Sequence, residues 1–169
     1  MLASYVDTKI KQHDIIIAAN VQKSYRERGM TIGELGKGLR FLCPDLTFWY
    51  KNEASVADLD TLINTHQIPV GIEWQGAFGQ YADEDSGHYS VVTAIDLKEN
   101  TIALSDPFYY FAGTDRVFPI DEFISRWWDE NEVIEPDVPA GTIEKDIQPL
   151  FLITKIDHQF SEDLHLLKY

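Results

Sequence analysis

Gly87-His88-Tyr89-Ser90-Val91-Val92-Thr93-Ala94-Ile95-Asp96, the turn Leu97-Lys98-Glu99-Asn100 and the run Thr101-Ile102-Ala103-Leu104-Ser105-Asp106-Pro107 decide how the chain is read. Two segments rich in β-branched and apolar residues flank a short polar turn, the pattern of an antiparallel hairpin. A histidine opens the first strand and an aspartate closes the second, so folding brings both to one end of the hairpin. Loop length and bulges set the register, and they leave the pair facing or one strand step apart. A carboxylate beside an imidazole holds its tautomer and stabilises its charged form, which is what a general base needs. The hairpin supplies no thiol to go with that base. Taken singly, a strand-opening histidine and an Asp-Pro turn are ordinary structural features; their pairing points to a site.

Working outward, 169 residues suffice for one well-buried domain, and a single domain over 1–169 is expected. Apolar residues at 44% and aromatic residues at 12% suit a packed core rather than disorder. The formal charge of −14 repels phosphate backbones and anionic headgroups, so no nucleic-acid partner is expected. Such a surface suits basic peptides, although it also serves plain solubility. The lone Cys43 excludes an internal disulfide and fits a reducing compartment or a small redox-neutral role; with no signal pattern visible, a cytoplasmic setting is expected. No apolar run is long enough to span a bilayer, and no secretory signal pattern is visible, so no membrane insertion is expected.

In chain order, Met1 to Ile10 is helix-compatible and starts without a cap. Asp14 to Arg28 reads as one helix with Ile17, Ala18, Val21 and Tyr25 inward, stopped by Gly29. Thr31-Ile32-Gly33-Glu34 has capping-box spacing and opens a helix through roughly Phe41. Leu46 to Lys51 reads as a strand, Ser55 starts a helix burying Leu59, Leu62 and Ile63, and Ile68 to Trp74 reads as a strand ended by Gln75-Gly76. Residues 77–86 form a loop whose Asp83, Glu84 and Asp85 offer a cation or basic-ligand site, the plainer reading being a solvated loop. Phe108 to Thr114 is aromatic and expected over the hairpin end, and Arg116 to Ile120 is an edge strand. Asp121 to Asp129 is expected as a helix presenting Phe123, Trp127 and Trp128, one tryptophan inside and the other surface-packed. Glu130 to Gln148, with Pro136, Pro139 and Gly141, reads as a loop, and Leu150 to Ile156 as a last strand. Helices followed by mostly antiparallel strands make an α+β plan.

"GHYSVVTAIDLKENTIALSDP" resembles the His and Asp segments of the bacteriocin-processing, double-glycine-leader peptidase-like proteins, a bacterial branch of the papain-like cysteine peptidase superfamily. "VADLDTLINTHQIPVGIEWQG" resembles their helix and strand before the His, and "FPIDEFISRWWDE" the helix after their Asp-Pro. The likeness covers roughly residues 14 to 155. It implies a papain-like fold with N-terminal helices packed on an antiparallel sheet, and a cysteine peptidase (a hydrolase) acting on peptide or protein substrates without a cofactor. By that likeness His88 is the general base and Asp106 its orienting partner. Trp74 and Gln75, at a strand end where the substrate groove of this fold runs, together with Gly87, are the implied substrate-binding residues.

The departure from the family lies at the nucleophile. There, a cysteine at the N-terminus of the first helix is preceded by an oxyanion-stabilising glutamine. Here the first helix begins at Met1 with neither residue before it. Two explanations compete: a shortened form of a longer enzyme whose cysteine lies upstream, or a pseudoenzyme that binds a peptide or protein partner without cutting it. Cys43 falls at a helix C-terminus, where the dipole raises a thiol pKa, and Ser4 lies inside its helix rather than at a cap; neither is a good substitute. His13, His66, His158 and His165 lack metal-ligand spacing, so no metal is expected. Gly33, Gly36 and Gly38 fall within a helical pattern and lack the strand and lysine of a phosphate loop.

Overall fold

In the computed structural model, which describes residues 1–76, 87–111, 113–133 and 137–169, the elements run in the following order. First come α1 (Leu2–Tyr5), α2 (Gln12–Ala18), α3 (Tyr25–Arg28), α4 (Ile32–Leu42), β1 (Leu46–Lys51) and α5 (Val56–Asp60), the last continuing into a π-type turn over Thr61–Thr65. Then follow β2 (Val70–Gln75), β3 (Gly87–Asp96), β4 (Thr101–Ser105), β5 (Arg116–Pro119), α6 (Ile120–Arg126), β6 (Trp128–Glu132), β7 (Ile143–Ile147), β8 (Leu150–Lys155) and β9 (Leu167–Lys168). This is an α+β chain in which the pairs β1–β9, β2–β3, β3–β4, β4–β5 and β6–β7 are antiparallel. Its residues fall into two units, Met1–Lys51 with Phe151–Tyr169, and Asn52–Leu150. The acidic loop triplet Asp83, Glu84 and Asp85 lies outside the described residues.

In the first unit the single helix expected over Asp14 to Arg28 is two. Asn20 takes a left-handed φ of 62° and stops α2, and the chain re-enters the helical conformation at Tyr25. The break re-phases the buried face: Ile16, Ala19, Val21 and Met30 form the core cluster, while Ile17 turns outward, 47% exposed. Gly29 ends α3 with φ 76°, and the Thr31–Glu34 capping box opens α4 with both reciprocal bonds, at 3.2 and 3.0 Å. The helical glycines serve close packing. A Cβ on Gly36 would stand 2.7 Å from the Tyr169 ring, and one on Gly38 would stand 2.9 Å from Ile15. Here the strand order is β8-β1-β9, and the Trp49 indole N–H donates to the Thr154 hydroxyl at 2.8 Å.

In the second unit a complete Ser55–Asp58 capping box starts α5, which buries Leu59, and the π-type turn after it buries Leu62. The strand order is β5-β4-β3-β2, with β5 on the edge as its sequence suggests. Register fixes which side chains share a face, because directly opposed residues point the same way. Trp74 pairs with His88, Ile72 with Ser90, Val92 with Leu104, and Leu104 with Arg116. One face therefore carries Trp74, His88, Ser90, Leu104, Asp106 and Arg116. A bulge at Thr93 shifts the register and returns Ile95 to that face opposite Ile102. The other face carries Glu73, Gln75, Gly87 and Tyr89.

Two expectations fail in the segment after β5. The helix ends at Arg126 rather than Asp129, because Trp127 leaves the helical conformation at φ −82°, ψ 70° and buries its ring. Its indole N–H donates to the Pro149 carbonyl at 2.9 Å. The two tryptophans do divide as expected, with Trp127 inside and Trp128 half-buried beneath the Lys145 ammonium, 3.5 Å from the ring centroid. Glu130 to Gln148 is also not one loop: β6 and β7 pair there, Trp128 to Ile147 and Asp129 to Asp146. The strand signal was hidden because the inward positions of this hairpin are polar, Asp129 and Asn131, while its apolar Ile143 and Ile147 face outward.

Candidate active site

His88 stands at the start of β3, and Asp106 follows the last residue of β4. Because Val92 opposes Leu104, Asp106 falls on the same face as Ser90 and within reach of His88. His88 Nε2 lies 2.7 Å from Asp106 Oδ1. The same oxygen accepts the Phe108 backbone N–H at 2.9 Å, an Asx turn that leaves no N–H to satisfy at the intervening Pro107. Asp106 Oδ2 accepts from Arg116 Nη1 at 2.8 Å. The Asp106 side chain is wholly buried, while His88 keeps 19% of its side-chain surface exposed.

These partners determine the charge state. Burial pushes the Asp106 carboxyl up, but the Phe108 N–H and the hydrogen bonds from His88 and Arg116 outweigh it and hold the group below its ordinary value. An ionised carboxylate has no proton to give, so His88 Nε2 is the donor, and in the neutral ring Nδ1 is the acceptor nitrogen. The Arg116 guanidinium is itself packed among rings, 3.9 Å from the Phe111 centroid and 4.9 Å from that of Phe118. The aromatic segment after Asp106 thus caps the carboxylate through Arg116. Sequence reading named His88 and Asp106 but not Arg116. Its signal was available: an arginine opening the strand next to the one that Asp106 ends.

The residues named for substrate contact sit differently from one another. Trp74 is completely buried, its indole N–H donating to the Ser90 hydroxyl at 3.0 Å and its ring against Phe118 and Phe123. It braces the dyad's face of the sheet and offers no surface to a ligand. Gln75 points to the opposite face, where its Nε2 donates to Asp129 Oδ1 at 2.8 Å. Gly87 is exposed on one side, and on the other abuts the Asp129 carboxylate.

That opposite face holds a buried polar cluster which sequence reading missed. Glu73 and Asp129 are buried among Tyr89, Asn131 and Asp146, with Asn131 Nδ2 at 3.0 Å from Asp146 Oδ2 and 3.5 Å from Glu73 Oε2. Burial pushes the Glu73 carboxyl up; the Tyr89 hydrogen bond opposes this, Asp129 and Asp146 add to it, and the value reaches about 8. The signal was a glutamate in the middle of the apolar strand Val70–Gln75.

Cys43 is the C-cap of α4, and burial together with the nearby Asp45 carboxylate raises its thiol pKa. At neutral pH iodoacetamide is expected to alkylate Cys43 several-fold more slowly than a free thiol, with an unchanged rate in His88→Ala. A fast rate that falls in the variant would make Cys43 the activated nucleophile. Ser4 lies inside α1, not at its cap. Among the described residues no group of three His, Cys, Asp or Glu side chains is arranged to hold a metal ion, and no helix is long and apolar enough to cross a membrane. Set against protein-family models, curated proteins and solved structures, the chain matches none of them.

Proposed function

We propose that the chain is a cysteine-peptidase-like domain of papain-like type that acts on peptide or amide bonds, with His88 as general base and Asp106 as its orienting partner. The observation behind this reading is the 2.7 Å His88–Asp106 bond, made on a carboxylate that Arg116 and the Phe108 N–H clamp from its other sides. In the reaction, His88 Nδ1 takes the proton of a thiol and the sulfur bonds to the carbonyl carbon. The C–N bond then breaks as His88 returns the proton to the leaving amine. Water attacks the resulting thioester, giving one proton to His88 and releasing the acid, and that proton restores the thiol. Asp106 stabilises the imidazolium in both halves. Cys43, with its raised pKa at a helix C-terminus, is a poor source of thiolate, so the reading calls for a thiol from another segment.

The same observation on Cys43 favours a second reading, a catalytically inactive module that binds a peptide or protein without cutting it. A peptidyl vinyl sulfone, applied to the protein purified from its own cells and mapped by mass spectrometry, separates the two. An adduct on a cysteine other than Cys43, absent in His88→Ala, supports the peptidase. Reversible binding of the same peptide with no adduct supports the binding module, and an adduct formed at equal rate in His88→Ala overturns the role of His88.

A further inference from the structure

We infer that Glu73 and Asp129, on the sheet face opposite the dyad, form a positioning pair that seats Gly87 and so fixes the backbone from which His88 projects. The inference rests on the reading of His88 as a base. Gly87 is the first residue of β3 and pairs with Gln75, as His88 pairs with Trp74. The Asp129 carboxylate fills the space where a side chain at position 87 would begin: a Cβ on Gly87 would overlap both of its oxygens. Gln75 Nε2 steadies that carboxylate with a 2.8 Å bond to Oδ1. The start of β3 is therefore held between β2 on one side and a carboxylate from β6 on the other, one residue before His88.

What keeps the carboxylate in place is its neighbour. Glu73 and Asp129 share a hydrogen bond, and two carboxyl groups bond to each other only when one is protonated. Gln75 Nε2 donates to Asp129 Oδ1 and favours its ionised form, so Glu73 carries that proton, in line with the push of burial and of Asp129 and Asp146 on its carboxyl, to about 8. Among the described residues, the titratable and polar groups facing it include Tyr89 on β3, Asp129 and Asn131 on β6, and Asp146 on β7. The basic residue of β7, Lys145, is engaged over the Trp128 ring. Ionisation of Glu73 converts its bond to Asp129 into repulsion among three carboxylates, and the seat under Gly87 loosens. His88 should then keep its alignment to Asp106 at neutral pH and lose it in alkali.

The test is the ring-nitrogen NMR shift of His88, which reports the tautomer, followed from pH 7 to 9.5 in wild type, Glu73→Gln and Gly87→Ala. Wild type is expected to hold the Nε2–H tautomer at pH 7 and to pass to a mixture of tautomers above about pH 8. Glu73→Gln, which keeps a neutral hydrogen-bonding group, should hold the single tautomer throughout. Gly87→Ala should give the mixture already at pH 7 or fail to fold; the glutamine variant decides the matter in either case. A wild-type tautomer unchanged to pH 9.5, or one lost equally in Glu73→Gln, overturns the inference. If the shifts behave as expected but no peptidyl adduct ever forms, the peptidase reading fails and the positioning pair stands.

Discussion

Replacing Asp106 with alanine is expected to cost about 3–5 kcal/mol of stability, the usual penalty for breaking a buried ion pair by removing one partner. It should also release His88 from a single tautomer. Asp106 is the common acceptor of three donors, and its side chain has no contact with water. Without it, the Arg116 guanidinium stays packed against Phe111 and Phe118, its side chain only 13% exposed, with its carboxylate gone. Asp106→Asn should cost less than the alanine change, because the amide oxygen still accepts one bond while its NH2 faces a donor it cannot satisfy.

The pH dependence of this contribution has a definite sign. A carboxyl held below its ordinary value of 3.8 stabilises the fold above that value, and the gain is lost as pH falls through the lower, folded-state value. Urea unfolding of wild type and Asp106→Ala at pH 7 and pH 3 would measure both effects, and the difference between the two proteins should shrink in acid. A loss below about 1 kcal/mol at pH 7, the range of exposed pairs, would mean that the triad of contacts is energetically idle.

Glu73→Gln is expected to stabilise the protein in mild alkali, against the usual direction for a buried substitution. Glu73 has a folded value near 8 against an ordinary 4.5, so between those values the folded state binds the extra proton. The stability it contributes is complete below about pH 4.5 and drains away as pH rises toward 8, by at most about 1.4 kcal/mol per pH unit. Roughly 2–4 kcal/mol over the whole window is the expected loss. Glutamine has no charge to bury, so its unfolding free energy should be flat over this range and exceed that of wild type at pH 8. Unfolding curves at pH 5, 6.5 and 8 would decide it; parallel pH dependence in the two proteins would show that Glu73 is not the group that titrates. The contributions of Asp106 and Glu73 thus have opposite slopes and are both retained only in mild acid, between their two titrations.

The contrast between Asp106 and Glu73 also marks the limit of what is legible in the residues alone. The hairpin that carries His88 and Asp106 was readable because β-branched alternation, a polar turn and an Asp-Pro stop lie within twenty residues of one another, and local patterns of that kind determine local structure. The Thr31 and Ser55 capping boxes were readable for the same reason: partner and backbone are three residues apart. The break of α2 at Asn20 was not, since a single left-handed residue outweighed an apolar spacing that suited one continuous helix. Nor was the β6–β7 hairpin, whose inward positions are carboxylates and an amide that look like surface until Glu73 and Tyr89 are seen to face them. The pairing of His88 with Asp106, the strand ends that carry them and the α+β order of elements all follow from local pattern. Only the tertiary structure could show that Arg116 clamps Asp106 and that Glu73 and Asp129 are buried together behind Gly87, beside Asp146. Those contacts join residues 10 to 73 positions apart, and burial, which no local pattern encodes, sets their protonation.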